Sequence, residues 1–246
     1  MSYNVKALCA YYNAIRISKI VEYIENAFKL NKIDVICLQE AFEIDLLDQL
    51  YKLATRCSLN IIHPSLSRRY WIGENSGLVT ISRFPIGDHK FLEYDVFTGL
   101  CSFAKKGAHN MEICLDGHIV TLVNTHLQSD NTDVSKKQLD MLIKWLDKPA
   151  IICGDFNLDY EIINTHSTEF RCVNQTKQIT FQDTGEQFDY FLLYESELEC
   201  TFRVLRNVLL SDHYPILMTF VLRGQGTYGS PNPSYQNLIR EGFGEP

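Results

Sequence analysis

Hydrophobic positions along the chain recur with two periods that alternate from segment to segment. Ile15, Ile17, Ile20, Val21, Ile24, Ala27 and Phe28 fall at helical spacing and predict a helix from about Ala14 to Leu30. Leu46, Leu47, Leu50, Leu53 and Ala54 mark a second helix. Leu139, Leu142, Ile143 and Leu146 mark a third, closed by Pro149 as helix ends commonly are. Between them lie short apolar runs. Val5 to Ala10 reads as a strand, and Ile33 to Leu38 as a continuous β-rich run bounded by polar residues, the signature of a strand buried on both faces. Further strands are expected at Gly77 to Ser82, Met111 to Leu115, Ile119 to Asn124, Ala150 to Cys153, Phe188 to Leu193, Thr201 to Leu205 and Ile216 to Leu222. Helices interleaved with many strands, some joined as short hairpins through turns such as Asp116-Gly117, predict an α/β sandwich with a mixed sheet core. From Arg223 the period is lost in a Gly- and Pro-rich stretch, which reads as a flexible tail.

The composition fits this picture. With 246 residues, 46% hydrophobic and 22% charged, the chain can build a large core and is excluded from the wholly disordered classes. Lys and Arg number 23 against 30 Asp and Glu, so the net charge is −7, which counts against a protein that grips duplex nucleic acid through many phosphates. No apolar run approaches the ~20 residues of a membrane span, and the N-terminal residues resemble neither a signal nor a transit peptide. The eight cysteines are scattered without a CxxC pair or zinc spacing, and several sit inside apolar strand-like runs. The expectation is therefore buried, reduced thiols in a reducing compartment and a cytoplasmic protein, with membrane contact at most peripheral.

Candidate chemistry lies where polar residues meet the predicted strands. Asn4 lies in the first strand, and Gln39 and Glu40 close the second. His126 follows the Ile119 to Asn124 strand, and Asp155 and Asn157 follow the Ala150 to Cys153 strand in the turn GDFN. Asp189 sits in QFDYFLL, and Asp212 and His213 follow Val208 to Leu210 in SDHYP. Carboxylates, amides and imidazoles gathered at strand ends are what metal-assisted phosphoryl transfer requires. Hard oxygen ligands hold Mg²⁺ or Mn²⁺, a histidine activates water, and amide or imidazole donors stabilise the charged transition state. His63, His89, His109, His118 and His166 match no motif and are assigned to surface or core.

On these residues the sequence resembles the exonuclease–endonuclease–phosphatase superfamily. SYNV at 2–5, LQEAF at 38–42, SGLVTISRFPI at 76–86, NTHLQS at 124–129, GDFN at 154–157, FDYFLL at 188–193 and SDHYPI at 211–216 occur in the family's order. Within it the chain is most similar to the neutral, Mg²⁺-dependent sphingomyelinases, through the Phe after Gln39-Glu40-Ala41, the Lys106-Gly107 pair and His126-Leu127-Gln128-Ser129-Asp130. The resemblance implies a four-layer α/β sandwich, two mixed β-sheets packed face to face with helices outside, over a catalytic domain at 1–222 followed by the tail at 223–246. It implies Glu40 as the main Mg²⁺ ligand, with Asn4 placing the metal or the phosphate. His213 becomes the general base, oriented by Asp189. Asp155 and Asn157 position water and a phosphate oxygen, His126 stabilises the phosphoryl group or leaving oxygen, and Asp212 reaches a second metal or supports His213.

The implied activity is hydrolysis of sphingomyelin, a phospholipid, to ceramide and phosphocholine. A nuclease, a phosphoinositide or nucleotide phosphatase, and a catalytically silent binding module are the alternatives. Many relatives carry Arg where this chain has Gln187, which removes a cation that anchors phosphate. Leu158-Asp159-Tyr160 after GDFN departs from the inositol-phosphatase signature. The Arg68 to Trp71 stretch suits lipid headgroups or an ordinary loop, and Asn232 to Leu238 carries short patterns that resemble adaptor-binding motifs.

Overall fold

The computed structural model describes residues 1–8, 13–30, 32–64, 75–99, 104–115, 117–166, 168–196 and 198–222. In chain order the elements are β1 (Ser2–Ala7), α1 (Ala14–Lys29), β2 (Val35–Ala41), α2 (Ile44–Arg56), β3 (Asn60–Ile62), β4 (Val79–Ser82), β5 (Ile86–Glu93) and β6 (Gly107–Leu115). They continue with β7 (His118–His126), α3 (Thr132–Trp145), β8 (Ala150–Asp155), α4 (Tyr160–His166), β9 (Phe170–Cys172), β10 (Asp189–Tyr194), β11 (Glu199–Val204) and β12 (Ile216–Val221). The strands form two six-stranded mixed sheets, ordered β11-β12-β1-β2-β4-β3 and β5-β6-β7-β8-β10-β9. Each contains one parallel pair, β1–β2 and β7–β8. A parallel pair needs a crossover, and α1 and α3 supply the two.

Three apolar interfaces separate four layers. Ile17, Ile20 and Ile24 of α1 and Leu46 and Leu50 of α2 pack on Tyr3, Val5, Ile36 and Leu38 of the first sheet. Leu139 and Leu142 of α3 pack on Val123, Ile152 and Leu192 of the second. Between the sheets lie Cys37, Met111, Leu122, Ile151, Phe191 and Met218. Strand alternation explains the division. In β8, Ala150 and Ile152 face α3, while Ile151 and Cys153 face the other sheet. Both faces are dry, which is why these strands read as unbroken apolar runs.

The first two helices match the expected stripes, whereas α3 begins at Thr132, ahead of the Leu139 to Leu146 stripe, and ends at Trp145. Asn13 caps α1 with its side-chain oxygen on the Arg16 N–H, and Asn131 caps α3 through the Val134 N–H. Ile15 departs from expectation: it is 71% exposed, because two residues before Ile17 lies about 200° around a helix. β1 also differs from the predicted Val5 to Ala10. It runs from Ser2 to Ala7, since Ser2 and Asn4 are strand residues whose polar side chains face the partner sheet, and Cys9 to Tyr12 lie outside the described residues. The short β3, β9 and α4 and the largely exposed edge strand β5 carry too few periodic apolar positions to be read. Arg68 to Trp71 and everything from Arg223 onward lie outside the described residues. Every cysteine among the described residues is a free thiol, with Cys37, Cys153 and Cys172 buried.

Candidate active site

The site residues end the rows of side chains that point between the sheets. Ile151, Cys153 and Asp155 share one face of β8, as Leu122, Asn124 and His126 share one face of β7 and Asp189, Phe191 and Leu193 one face of β10. Each row begins in the apolar interface and ends in a polar or ionisable group. Glu40 does not follow this rule. Ile36 and Leu38 place its parity on the helix side, yet its backbone adopts φ +54° and its side chain turns into the site. A left-handed glutamate is strained, and such strain collects at functional positions. Gly154 answers another demand: a Cβ there would come within 1.9 Å of the Thr125 carbonyl oxygen, so only glycine lets β8 approach β7 this closely.

His213 Nδ1 lies 2.8 Å from Asp189 Oδ2, both residues buried, the Nδ1–H donating to the carboxylate. That bond fixes the tautomer and leaves Nε2 to accept a proton. Burial opposes a charge on His213, but Asp189 and Asp155 outweigh it and push its pKa up to about 10, so with those carboxylates uncompensated the ring is charged near pH 7, and it works as a base only in its neutral form. The Phe181 ring packs against the imidazole with centroids 4.8 Å apart.

Across from this pair, Asn4 Nδ2 donates to Glu40 Oε1 at 3.0 Å and to Asp155 Oδ2 at 2.9 Å. Its Oδ1 accepts the Lys6 N–H, which fixes the amide. Asn4 therefore spaces two carboxylates, and the oxygen expected to help place a metal is turned to the backbone. Burial is the main force raising the pKa of both acids, Asp155 to about 6, with Asp155 adding to the rise at Glu40. His126 Nε2 sits 3.6 Å from Asp155 Oδ2 and 3.8 Å from Glu40 Oε1. Its Nε2 also meets Lys106 Nζ at 2.8 Å, and Lys106 donates to the Leu127 carbonyl as well. An ammonium only donates, so Nε2 is the acceptor and Nδ1 carries the proton. Burial first, then the Lys106 and His213 charges, hold His126 well below the usual imidazole range and thus neutral.

Among the described residues, two groups have ligand atoms close enough to share an ion: Glu40, His126 and Asp155, and Asp155, Asp189 and His213. The second is joined internally by the His213–Asp189 hydrogen bond. In the first, Lys106 occupies His126 Nε2, so the available donors are carboxylate oxygens of Glu40 and Asp155. Buried Asp155 and half-buried Glu40, the first raising the second, fit a hard divalent cation, and an oxygen donor set favours Mg²⁺ or Mn²⁺ over zinc.

Asn157, with φ +49°, donates its backbone N–H to Asp155 Oδ1 and its amide to the Leu127 carbonyl, so it shapes the turn beside the site. Asp212 is the residue expected to reach a second metal or to support His213. Its carboxylate is taken by Lys6 at 2.6 Å and belongs to neither ligand group, although its charge adds to those raising His213. Gln187 is wholly buried and bonds Asn174, the Gln178 N–H and the Asp189 carbonyl, so it builds the loop and does not face a phosphate. Behind the site Gln39 Nε2 donates to Asn124 Oδ1 at 2.7 Å, and Asn124 donates to the Leu38 and Val79 carbonyls, locking the sheets together. Residue type alone does not announce Asn124 or Lys106 as site residues. Both stand in stretches that carry the family resemblance, NTHLQS and the Lys106-Gly107 pair, but only the β7 row and the place one residue before β6 give them roles.

The family model described as the endonuclease/exonuclease/phosphatase family matches residues 1–213. A curated relative, sphingomyelin phosphodiesterase 5 of Danio rerio, is 28% identical over 156 residues, spanning 52% of this chain and 29% of that protein's length. Among solved structures, sphingomyelinase C from Streptomyces griseocarneus superposes with a TM-score of 0.70 at 19% identity, covering 88% of this chain and 97% of that one. Beta toxin of Staphylococcus aureus with bound magnesium ions gives 0.68 at 19% identity, covering 88% and 97%. D. rerio TDP2 complexed with a single-strand DNA product gives 0.67 at 18%, covering 90% and 97%. At these identities the structures share the fold.

Proposed function

The chain belongs to the endonuclease/exonuclease/phosphatase family, and from that premise we propose that it is a metal-dependent phosphodiesterase that cleaves sphingomyelin to ceramide and phosphocholine. One observation carries the chemistry: a buried His213–Asp189 pair at 2.8 Å faces two carboxylates, Glu40 and Asp155, held together by the Asn4 amide.

His213 Nε2 takes the proton of a water as its oxygen bonds to phosphorus, while Asp189 Oδ2 holds the Nδ1–H and stabilises the imidazolium that forms. The bond from phosphorus to the ceramide oxygen breaks, that oxygen takes a proton from solvent to give ceramide, and the imidazolium later returns its own proton to solvent. The positive charge on this side of Asp155 is the Lys106 ammonium, 2.8 Å from Nε2 of neutral His126, and it favours the charge that builds on the phosphoryl oxygens. Glu40 and Asp155 would hold Mg²⁺ or Mn²⁺, which supplies charge for the phosphoryl and leaving oxygens when bound. Asn4 keeps the two ligands at a fixed separation, so less order is lost when the cation enters.

The choline phosphodiester reading rests on the match to sphingomyelin phosphodiesterase 5 and on the net charge of −7, which suits a zwitterionic headgroup better than a polyanion. A single-stranded nucleic acid is the competing substrate, on the strength of the TDP2 likeness. The test is kcat/KM for sphingomyelin in mixed micelles, a single-stranded oligonucleotide and a phosphoinositide, in one Mg²⁺ buffer at fixed salt. Sphingomyelin is expected to be fastest. A faster oligonucleotide or phosphoinositide reaction overturns the substrate while leaving the His213 chemistry standing.

A further inference from the structure

The Asp189–His213 pair is assembled from two elements 24 residues apart in sequence, and its carboxylate has little side-chain support. Asp189 Oδ2 bonds His213, whereas Oδ1 is buried without a partner. Among the described residues no second donor pins the carboxyl group, so its place is set by its backbone. That backbone is held by Thr180, whose Oγ1 accepts the N–H of Phe188 at 3.0 Å and of Asp189 at 3.1 Å. The same residue reaches the other half of the pair. Its carbonyl accepts the N–H of Tyr214, next to His213, at 2.8 Å.

The next two residues continue the grip. Phe181 makes a single antiparallel bridge with His213 and lays its ring against the imidazole. Gln182 donates its backbone N–H to the Asp212 carbonyl at 2.8 Å and its side-chain amide to the Ser211 carbonyl at 2.6 Å. The segment is itself fixed by the Thr180 and Phe181 N–H groups, both on the Glu186 carbonyl at 3.0 Å. Thr180 has no exposed surface, so water does not replace its hydroxyl.

We infer that Thr180-Phe181-Gln182 is a positioning brace for the general base, with the Thr180 hydroxyl as the group that sets the Asp189–His213 distance. Thr180 touches neither substrate nor metal. It acts through Asp189, and a hydrogen-bonded pair made from separate elements needs its geometry held to about half an ångström. The inference rests on the His213–Asp189 reading of the site.

The experiment compares Thr180→Val, which replaces the hydroxyl with a methyl of similar size, with Thr180→Ser, which keeps it. Activity is read on sphingomyelin and on bis(p-nitrophenyl) phosphate, a generic phosphodiester, and the His213 Nδ1–H is followed as a downfield proton resonance by NMR. Thr180→Val should lower kcat on the order of 10²-fold, as a misplaced catalytic group does, with KM little changed and the downfield proton shifted or lost. Thr180→Ser should restore most of kcat and the resonance. If Thr180→Val does not fold, Phe181→Leu takes its place and should shift the resonance while lowering kcat. Equal losses in the Val and Ser variants, or a lowered melting temperature with kcat and the proton unchanged, overturn the brace. The resonance is independent of turnover, so an inactive wild type that shows it removes the substrate reading and keeps the brace.

Discussion

Replacing Asp189 with Asn keeps the size of the side chain and removes the charge that faces His213. The acid is 1% exposed and its Oδ2 lies 2.8 Å from His213 Nδ1, so solvent does not take its place. An amide there either accepts the Nδ1–H through a weaker neutral bond or donates to Nδ1. The second outcome forces the proton onto Nε2 and removes the base. The expected loss is on the order of 10²–10⁴ in kcat. At about 1.4 kcal/mol per tenfold this is roughly 3–5 kcal/mol of barrier, the size of the cost of removing one partner of a buried charge pair.

A second readout follows from the same bond. In the metal-free protein the carboxylates overcome burial and push His213 up to about 10, above its unfolded value near 6.5. Its stabilisation is then present in full below pH 6.5 and lost as pH rises through about 10. Asp189→Asn should weaken that decline and lower the His213 titration followed by NMR. The assay is kcat and KM for Asp189→Asn, His213→Ala and the double variant in one Mg²⁺ buffer. The double variant should lose little more than the worse single, because the two act as a unit. Multiplicative losses, or an Asp189→Asn enzyme as fast as wild type, would refute the pairing.

Lys106→Met removes the ammonium beside His126 Nε2 and should cost on the order of 10²-fold in kcat, with circular dichroism unchanged; near-normal turnover counts against its electrostatic role. His109 is fully buried with Nε2 3.2 Å from His89 Nδ1, and burial first, then His89 and His63, lower its pKa to about 4. Because that lies below its unfolded 6.5, its stabilisation is full above pH 6.5 and lost as pH falls through about 4, a loss of roughly 3 kcal/mol. Urea denaturation at pH 7 and 4.5 should show the loss in wild type and a smaller one in His109→Phe. Tyr190→Phe leaves the Leu158 and Gln187 carbonyls, 2.8 and 2.6 Å from the hydroxyl, without that donor. It should lower stability by about 1–3 kcal/mol with kcat retained, and a lowered kcat at unchanged melting temperature would contradict the structural role.

The sandwich was legible because its central strands are dry on both faces and its helices on one. Val35 to Leu38 and Ala150 to Cys153 give unbroken apolar runs, while α1 and α2 keep a helical stripe. The site was legible because its groups extend those runs: Asp155 follows Cys153, and Asp189 opens Phe191's row. What stayed hidden depends on pairing across the sheets. The spacing of Glu40 puts it on the helix side, and only its left-handed backbone brings it round. Asp212 looks like a ligand until Lys6, 206 residues away in sequence, is seen to hold it. Lys106 is a charged residue beside another lysine, and nothing in its own neighbourhood predicts burial against His126. Thr180 is an ordinary loop threonine by composition.

The central claim is that Glu40 and Asp155 hold a divalent cation while His213 draws the proton from water. Its most direct test is phosphocholine release from sphingomyelin by wild type, Glu40→Gln and His213→Ala, each with Mg²⁺ and again after exhaustive chelation and Mg²⁺ readdition. The wild type should lose activity on chelation and regain it with Mg²⁺. Glu40→Gln should need far more Mg²⁺ for whatever rate remains, and His213→Ala should stay slow at every Mg²⁺ concentration. Full wild-type turnover without a divalent cation, or undiminished turnover in His213→Ala, would contradict the account.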